Sequence, residues 1–505
     1  MSIETELKLR ITPEHLARLR RHALFRTHQI SAPVTRHLHN IYYDTPKLDL
    51  HKNEMALRLR RVGGRWLQTL KGGGSVRAGL HQRNEWEAPV ALARLDFSVL
   101  QASVLKAYLP PRLRKKLKSV FVTDFYRTSR LLEWQGAQIE VCMDHGVVKT
   151  AQHSTPICEV ELELKSGAAQ QLYELALALL EIAPLELETV SKAEQGFRLL
   201  SGYIEQPAKA EVLKLGRNDS LTEVLQTLIW SCLLHLQGNL QGAMASDDAE
   251  YLHQMRVALR RLRVVLRMAE KIRADEQLAV LRQELTALAA ALGRVRDWDV
   301  FIAGVAEPLC ALRASDDGLQ ILLDISERQR AGRYATLRSV AQRSELQRLM
   351  LRIAIWMNGT YWQRAEEGAP QTQVFAVRYL QRLGKRYKQT KQKLDATGCG
   401  QLHALRILAK KLRYSAECYA SLYGKKEVGN YLSALGEVQE ILGQINDVAV
   451  AHRLLDDLAK TPELSGHPQA IVLARNWVDS NTSLNIIMLR KTSRSFNRKQ
   501  AFWRA

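Results

Sequence analysis

The residues best placed to do chemistry are charged side chains that alternate with aliphatic ones. In Ile3-Glu4-Thr5-Glu6-Leu7-Lys8-Leu9, an extended strand would put Glu4, Glu6 and Lys8 on one face and Ile3, Leu7 and Leu9 on the other. Leu57-Arg58-Leu59-Arg60 sets two arginines against two leucines, and Glu85-Trp86-Glu87 repeats the pattern with acids. Glu159-Val160-Glu161-Leu162-Glu163-Leu164 sets three carboxylates against three aliphatics. A single charged face is commonly just solvated. Three neighbouring carboxylates repel one another, however, and here the acidic and basic faces sit on separate strands. A barrel with a polar lumen and an apolar outside packed on helices accounts for both facts. In such a lumen, clustered carboxylates suit a hard divalent cation such as Mg²⁺ or Mn²⁺. Clustered Arg and Lys suit phosphate. Facing one another, the two sets would supply charge neutralisation and positioning for phosphoryl transfer.

A second set lies far along the chain, in an internal repeat at an offset of 150 residues. His253-x-x-Arg256-Val257-x-x-Arg260-Arg261-Leu262-Arg263 matches His403-x-x-Arg406-Ile407-x-x-Lys410-Lys411-Leu412-Arg413, and Asp297 matches Asp447 without a gap. On a helix, His253, Arg256, Arg260 and Arg263 form one stripe, as do His403, Arg406, Lys410 and Arg413. Recurrence of the cationic positions in both copies points to a surface for a polyanion, and the repeat to two similar helical bundles. No base-reading motif or aromatic platform accompanies the stripes, so sequence-specific nucleic acid is not expected.

The elements that must position these residues change character near residue 205. Before it, short alternating segments are broken by Gly63-Gly64, Gly72-Gly73-Gly74, Pro110-Pro111 and Asp144-His145-Gly146, which read as turns between antiparallel strands. Helices are expected near 13–24 and 167–181. A linker is expected over about 206–218, and an all-helical region over 219–505. The chain has 505 residues and a net charge of +21. Residues 1–205 hold 29 basic and 22 acidic side chains, the remainder 44 and 30, so most of the excess lies in the helical part. That charge favours a polyanionic partner. The six cysteines, Cys142, Cys158, Cys232, Cys310, Cys399 and Cys418, are scattered and read as reduced thiols. With no secretory signal and no apolar run of membrane-spanning length, a cytoplasmic location is expected. The basic, aromatic tail from Arg490 to Arg504 could extend a polyanion surface, contact a membrane or be solvated.

The opening Glu4-x-Glu6-x-Lys8 resembles the signature of the CYTH superfamily, the triphosphate tunnel metalloenzymes. The likeness continues through Asn40-Ile41-Tyr42-Tyr43-Asp44-Thr45-Pro46, Leu57-Arg58-Leu59-Arg60, Leu70-Lys71, Gly79-Leu80-His81-Gln82-Arg83, Asp124-Phe125-Tyr126-Arg127, Asp144-x-Gly146-x-Val148-Lys149, Pro156 through Glu163, and Ser191-Lys192-Ala193. The Gly79–Arg83 and Pro156–Glu159 stretches are most similar to the bacterial inorganic triphosphatase branch. The resemblance implies an α+β chain whose residues 1–205 form an eight-stranded antiparallel tunnel with flanking helices. In it, Arg58, Arg60, Lys71, Arg83, Arg127, Lys149 and Lys192 would hold phosphates. Glu85, Asp144, Glu159, Glu161 and Glu163 would hold Mg²⁺ or Mn²⁺, with the choice among the last three open. Glu4, Glu6 and Lys8 would complete the catalytic set. The implied activity is hydrolysis of tripolyphosphate to pyrophosphate and phosphate; thiamine triphosphate, ATP cyclisation and a non-catalytic polyphosphate-binding role are the alternatives. The paired His-x-x-Arg helices resemble the CHAD domain, an all-α module of two pseudo-symmetric bundles that implies binding of long-chain polyphosphate.

Overall fold

Eight strands follow from the alternation. They are β1 (Ser2–Arg10), β2 (Val34–Asp44), β3 (Met55–Val62), β4 (Arg65–Arg77), β5 (Leu80–Val90), β6 (Lys118–Trp134), β7 (Ala137–Lys149) and β8 (Ser154–Ser166). In this computed structural model, which describes residues 2–216, 218–397, 401–480 and 482–504, they pair antiparallel in the order β5-β4-β3-β2-β6-β7-β8-β1. β1 also pairs with β5, with Glu4 opposite Arg83, so the sheet closes into a barrel. Leu7, Leu57, Leu59 and Leu162 are buried on the outer face. The helix Ala169–Leu180 covers β1 and β8 there. Leu50, Leu100, Val104 and Leu109 cover Leu57 and Leu70. The polar side chains are thereby left to the lumen.

Two expected turns are strand instead. Gly72-Gly73-Gly74 is a bulge within β4: Gly73 and Gly74 take φ of 63° and 111°, and the register with β5 jumps between Gly72 and Ser75. Left-handed backbone of this kind favours glycine, and two residues leave the ladder without ending the strand. Asp144-His145-Gly146 runs straight through β7. Gly146 serves close approach there, since a Cβ would lie 2.3 Å from the Asp124 carbonyl oxygen of β6. The hairpin turn of this region is Gln135-Gly136, with φ of 50° and 80°. The helix expected over 13–24 is two, Pro13–Arg20 and Ala23–His28, because His22 turns extended and its ring nitrogen accepts from Leu24 N. Further helices in this region include Ala102–Tyr108 and Lys192–Ser201.

The chain divides into two compact units, Met1–Gln206 with Val340–Gly359, and Pro207–Ser339 with Thr360–Ala505. Reading 219–505 as one contiguous domain does not anticipate the excursion at 340–359. The helix Val340–Met357 buries Leu346, Met350, Ile353 and Ala354 and packs on the helix Ala169–Leu180. The buried Gln347 side chain accepts from Leu187 N at 3.0 Å, and Arg348 pairs with Glu181 at 2.9 Å. An amphipathic helix reads the same whichever unit it covers, so periodicity alone assigns it to its sequence neighbours.

Within the second unit, the repeat appears as equivalent helices. Ala249–Ile272 packs on Glu276–Phe301, and Leu402–Cys418 packs on Lys425–Leu458. No regular element lies between Ser201 and Leu221 among the described residues. The five described cysteines are free; Cys399 lies outside the described residues. Among those residues, no helix is long and apolar enough to cross a membrane.

Candidate functional site

Alternation carries the charged side chains of β1, β3, β5 and β8 into one cavity of about 430 Å³, lined by Glu4, Glu6, Lys8, Arg58, Arg60, Lys71, Arg83, Glu85, Arg127, Glu161, Glu163 and Lys192. Its far end is filled by Tyr42, Phe121, Phe125, Val148 and Ile157 under Ala193 and Phe197. The helix Lys192–Ser201 seats there because its Gly196 lets the Phe121 ring approach; a Cβ would stand 2.1 Å from that ring. Ser191 caps the helix by accepting from Glu194 N, which places the Lys192 ammonium at the helix start inside the lumen.

The acidic wall is β7 and β8. Asp144, Glu159 and Glu161 are all buried, and one oxygen of each lies within 4.8 Å of the others. Lys192 pairs with all three, Lys8 with Glu161 and Glu6, and Arg127 with Asp144 and Glu161. The Arg127 contact to Asp144 is bidentate, at 2.8 and 2.6 Å. Burial pushes the Glu159 carboxyl up to about 7, outweighing Lys192. Burial also works against ionised Glu6, but the adjacent Lys8 overrides it and holds that carboxyl at about 2. Oxygen donors alone, crowded and already gathered round an ammonium, fit a hard divalent cation. The structure does not bring the other two expected metal ligands into this cluster. Glu85 faces Lys71 at 3.4 Å and Arg58 at 3.8 Å, while Glu163 pairs with Lys165 at 2.6 Å.

The basic wall is β3, β4 and β5. Asn40 accepts from Arg60 Nε at 2.8 Å and donates to Thr123, so a buried amide aims the guanidinium. Burial, with Arg58 and Arg127 nearby, lowers Arg60 to about 10. Lys71 pairs with Glu4, whose carboxyl burial raises. Lys149 is the exception among the expected phosphate ligands, being exposed and outside the cavity. Asp144 and Lys149 differ by an odd number of positions on one strand, so they point to opposite faces. Residues not anticipated are Arg36, Tyr42, Ser129, Glu140, Cys142 and Lys165, all of which line the lumen. Glu140 and Cys142 share the parity of Asp144 on the same strand, which was the available signal. Burial raises the Cys142 thiol to about 12, so it stays protonated. Asp44, prominent in the motif, is structural: it accepts from Thr45, Leu50 and His51 backbone N–H groups.

In the second unit, Arg256, Arg260, Arg263, Arg406 and Lys410 line one groove of about 360 Å³ together with Arg267, Lys411 and Tyr414. Gly293 lets the Arg256 guanidinium lie close, 3.1 Å from where a Cβ would stand. Among the described residues, no carboxylate lines this groove. Burial and the neighbouring Arg260, Arg406 and Arg256 lower Lys410 to about 7, and burial with Arg260 lowers Arg256 to about 10. Arg256 and Arg406 also line an adjoining cavity of about 570 Å³ with Asp297 and Asp447. The rest of the expected stripe is not in the groove. His253 and Arg413 line a neighbouring cavity that shares Arg260, Lys410 and Tyr414 with the groove, with Arg413 held by Glu417 at 2.8 Å and Gln439 at 3.0 Å, and His403 is exposed.

Comparison with known proteins matches these two regions separately. The CYTH domain model matches residues 2–197 and the CHAD domain model residues 227–456. An inorganic triphosphatase of Haemophilus influenzae is 34% identical over 196 residues, 39% of this chain and 54% of that protein, so the chain spans about half the length of this relative. An uncharacterized protein of Mycobacterium tuberculosis is 25% identical over 442 residues, 82% of each chain. The crystal structure of the CHAD domain from the plant Ricinus communis superposes with a TM-score of 0.51 at 28% identity, covering 59% of this chain and 98% of that one. The charge-lined barrel is thus a CYTH domain over residues 2–197, and the duplicated basic bundle a CHAD domain over residues 227–456.

Proposed function

We propose that the barrel is a divalent-metal-dependent triphosphatase that hydrolyses tripolyphosphate to pyrophosphate and phosphate, and that the helical unit binds long-chain polyphosphate. The observation that carries the first part is the enclosure of the Asp144–Glu159–Glu161 cluster and the cations Arg58, Arg60, Lys71, Arg83, Arg127 and Lys192 in or against one lumen. The similarity to the Haemophilus influenzae triphosphatase supports it. The cations would bind the phosphoryl oxygens, and the plugged end would set the depth to which a triphosphate enters. Asp144, Glu159 and Glu161 would hold Mg²⁺ or Mn²⁺, which would neutralise charge developing on the transferred phosphoryl group. Glu4, whose carboxyl burial raises, lines the same cavity beside Lys71 in position to orient a water and accept its proton, with Glu6 held ionised beside Lys8. Enclosure keeps that exchange out of bulk solvent.

For the second part, the support is a groove of cations with no carboxylate among its lining residues and with depressed proton affinities. Such a surface lowers its own repulsion by taking up an anion, and it follows a flexible chain without reading bases. Phosphate release from tripolyphosphate, thiamine triphosphate and ATP at equal concentration, with and without Mg²⁺ or Mn²⁺, tests the enzyme reading. Metal-dependent release from tripolyphosphate that is lost in Glu4→Gln and Lys8→Ala is expected. Wild-type protein that releases no phosphate from it overturns the reading.

A further inference from the structure

The helix Thr482–Asn497 lies outside the segment matched by the CHAD model, and its outer face is one-sided in charge. After Asp479 the chain has no acidic residue, yet Arg490, Lys491, Arg494, Arg498 and Lys499 follow. All five are exposed, and with Ile487 and Ser495 they line one shallow groove of about 720 Å³. Among the described residues, none of them forms an ion pair. The inner face explains why the helix holds this pose: Leu489, Ser493 and Phe496 are buried, and the Phe496 ring packs edge-on to Tyr387 and beside Tyr431. Ile487 and Met488 stay exposed beside the cations, so binding to an anionic lipid surface is an alternative that the test below separates.

Where the helix begins matters as much as its charge. Asn485 and Met488, one turn before the cations, line the 570 Å³ cavity whose wall also includes Arg256 and Arg406. Those two arginines in turn line the basic groove. Arg256, Arg296 and Arg406 thus share one cavity with Asn485 and Met488, a cavity that also holds Asp297, Asp447 and an apolar wall, and beyond it the cations from Arg490 to Lys499 continue for about 15 Å along the helix.

We propose that the outer face of the helix Thr482–Asn497 is a second binding surface that carries the overhanging part of a long linear polyphosphate leaving the central cavity, and so makes affinity depend on chain length. The proposal rests on the groove reading above. A short oligophosphate is satisfied within the groove and never reaches Arg490; a long one gains up to five further phosphate contacts. Each contact releases counterions, so the long chain acquires both tighter binding and a steeper salt dependence.

The test uses the full-length protein and two probes, a short oligophosphate and long-chain polyphosphate, titrated across a salt series. In the variant Arg490→Gln, Lys491→Gln, Arg494→Gln, Arg498→Gln, Lys499→Gln, long-chain affinity is expected to fall about tenfold or more and its salt slope to shrink by about three, with short-chain affinity unchanged. The charge-preserving variant Arg490→Lys, Arg494→Lys, Arg498→Lys is expected to keep long-chain affinity. Wild-type protein alone gives an independent check: its salt slope should be steeper for the long probe than for the short one. Equal slopes, or equal losses for both probes in the Gln variant, overturn the proposal. So does a variant that keeps polyphosphate affinity while losing binding to phosphatidylglycerol vesicles or to RNA. Wild-type protein that binds neither probe overturns the groove reading itself, a different outcome.

Discussion

Both polyanion-facing regions are rich in Arg and Lys, but they handle that charge in opposite ways. In the barrel, cations and carboxylates are interleaved: Lys192, Lys8 and Arg127 each touch two or more acids, and although burial works against the charged forms, those acids hold Lys8 and Arg127 well above their usual proton affinities. In the helical groove the cations face one another, and burial and mutual repulsion hold Lys410 and Arg256 below theirs. The first arrangement is self-neutralised and ordered before any ligand arrives. The second is frustrated until an anion comes. Self-neutralised charge suits a site that must fix several groups for a reaction. Frustrated charge suits a site that only needs to bind.

The sharpest way to break the comparison is to remove the acid on which the barrel cations converge. Glu161→Gln should reduce metal-dependent phosphate release by about 10²-fold or more. It should also cost roughly 3 kcal/mol of stability, because Lys8, Arg127 and Lys192 lose a buried partner. Turnover assays and urea unfolding measure the two effects.

The groove should respond in the reverse sense. Arg256→Glu with Arg406→Glu should weaken long-chain polyphosphate binding by about 100-fold, as several phosphate contacts turn repulsive. Tripolyphosphate turnover and melting temperature should hold. Equal loss of binding and turnover would show that the two regions do not work separately.

Proton dependence separates them further. Lys410 sits near 7 because of burial and of Arg260, Arg406 and Arg256, with Asp447 opposing. Only its protonated form attracts an anion, and a bound anion raises its proton affinity. Polyphosphate affinity should therefore be greatest below pH 7 and fall up to about tenfold per pH unit above it, at constant ionic strength. Lys410→Arg should flatten that slope; an unchanged slope would remove Lys410 as its source. The smallest effect is expected at His403, which repeats His253 in sequence but is exposed. His403→Ala should change polyphosphate affinity by about twofold or less, as exposed positions contribute little.

Much of the barrel is legible in the sequence. Period-two alternation on β1, β3, β5 and β8 sorts side chains into lumen and exterior with no tertiary information, because successive Cβ atoms must point to opposite faces. It also forbade Lys149 from joining Asp144, a conclusion that motif likeness obscured. The offset-150 repeat similarly put Arg256 and Arg406 on equivalent helices. Other features were not legible. Glycine clusters look alike whether they turn the chain, as at Gly63-Gly64, or bulge a strand, as at Gly72-Gly73-Gly74, since φ is not written in the residue type. A helical stripe does not say how much of itself a neighbour leaves open, so His403 and Arg413 were grouped with Arg406.

What the sequence determined by itself was therefore local: which strands are two-faced, which helix faces carry charge, and that one bundle is a copy of another. These follow from fixed periods of the backbone. The tertiary structure alone decided which carboxylates meet, since Asp144 joins Glu159 and Glu161 through the register of β7 on β8 while Glu85 and Glu163 find lysines instead. It also decided that the barrel is plugged at one end, that the helix Val340–Met357 belongs to the barrel unit, and which cations remain without a partner. Those are properties of long-range pairing, where a distance of a few ångströms separates a metal cluster from an ion pair, and no periodicity in a single chain encodes that distance.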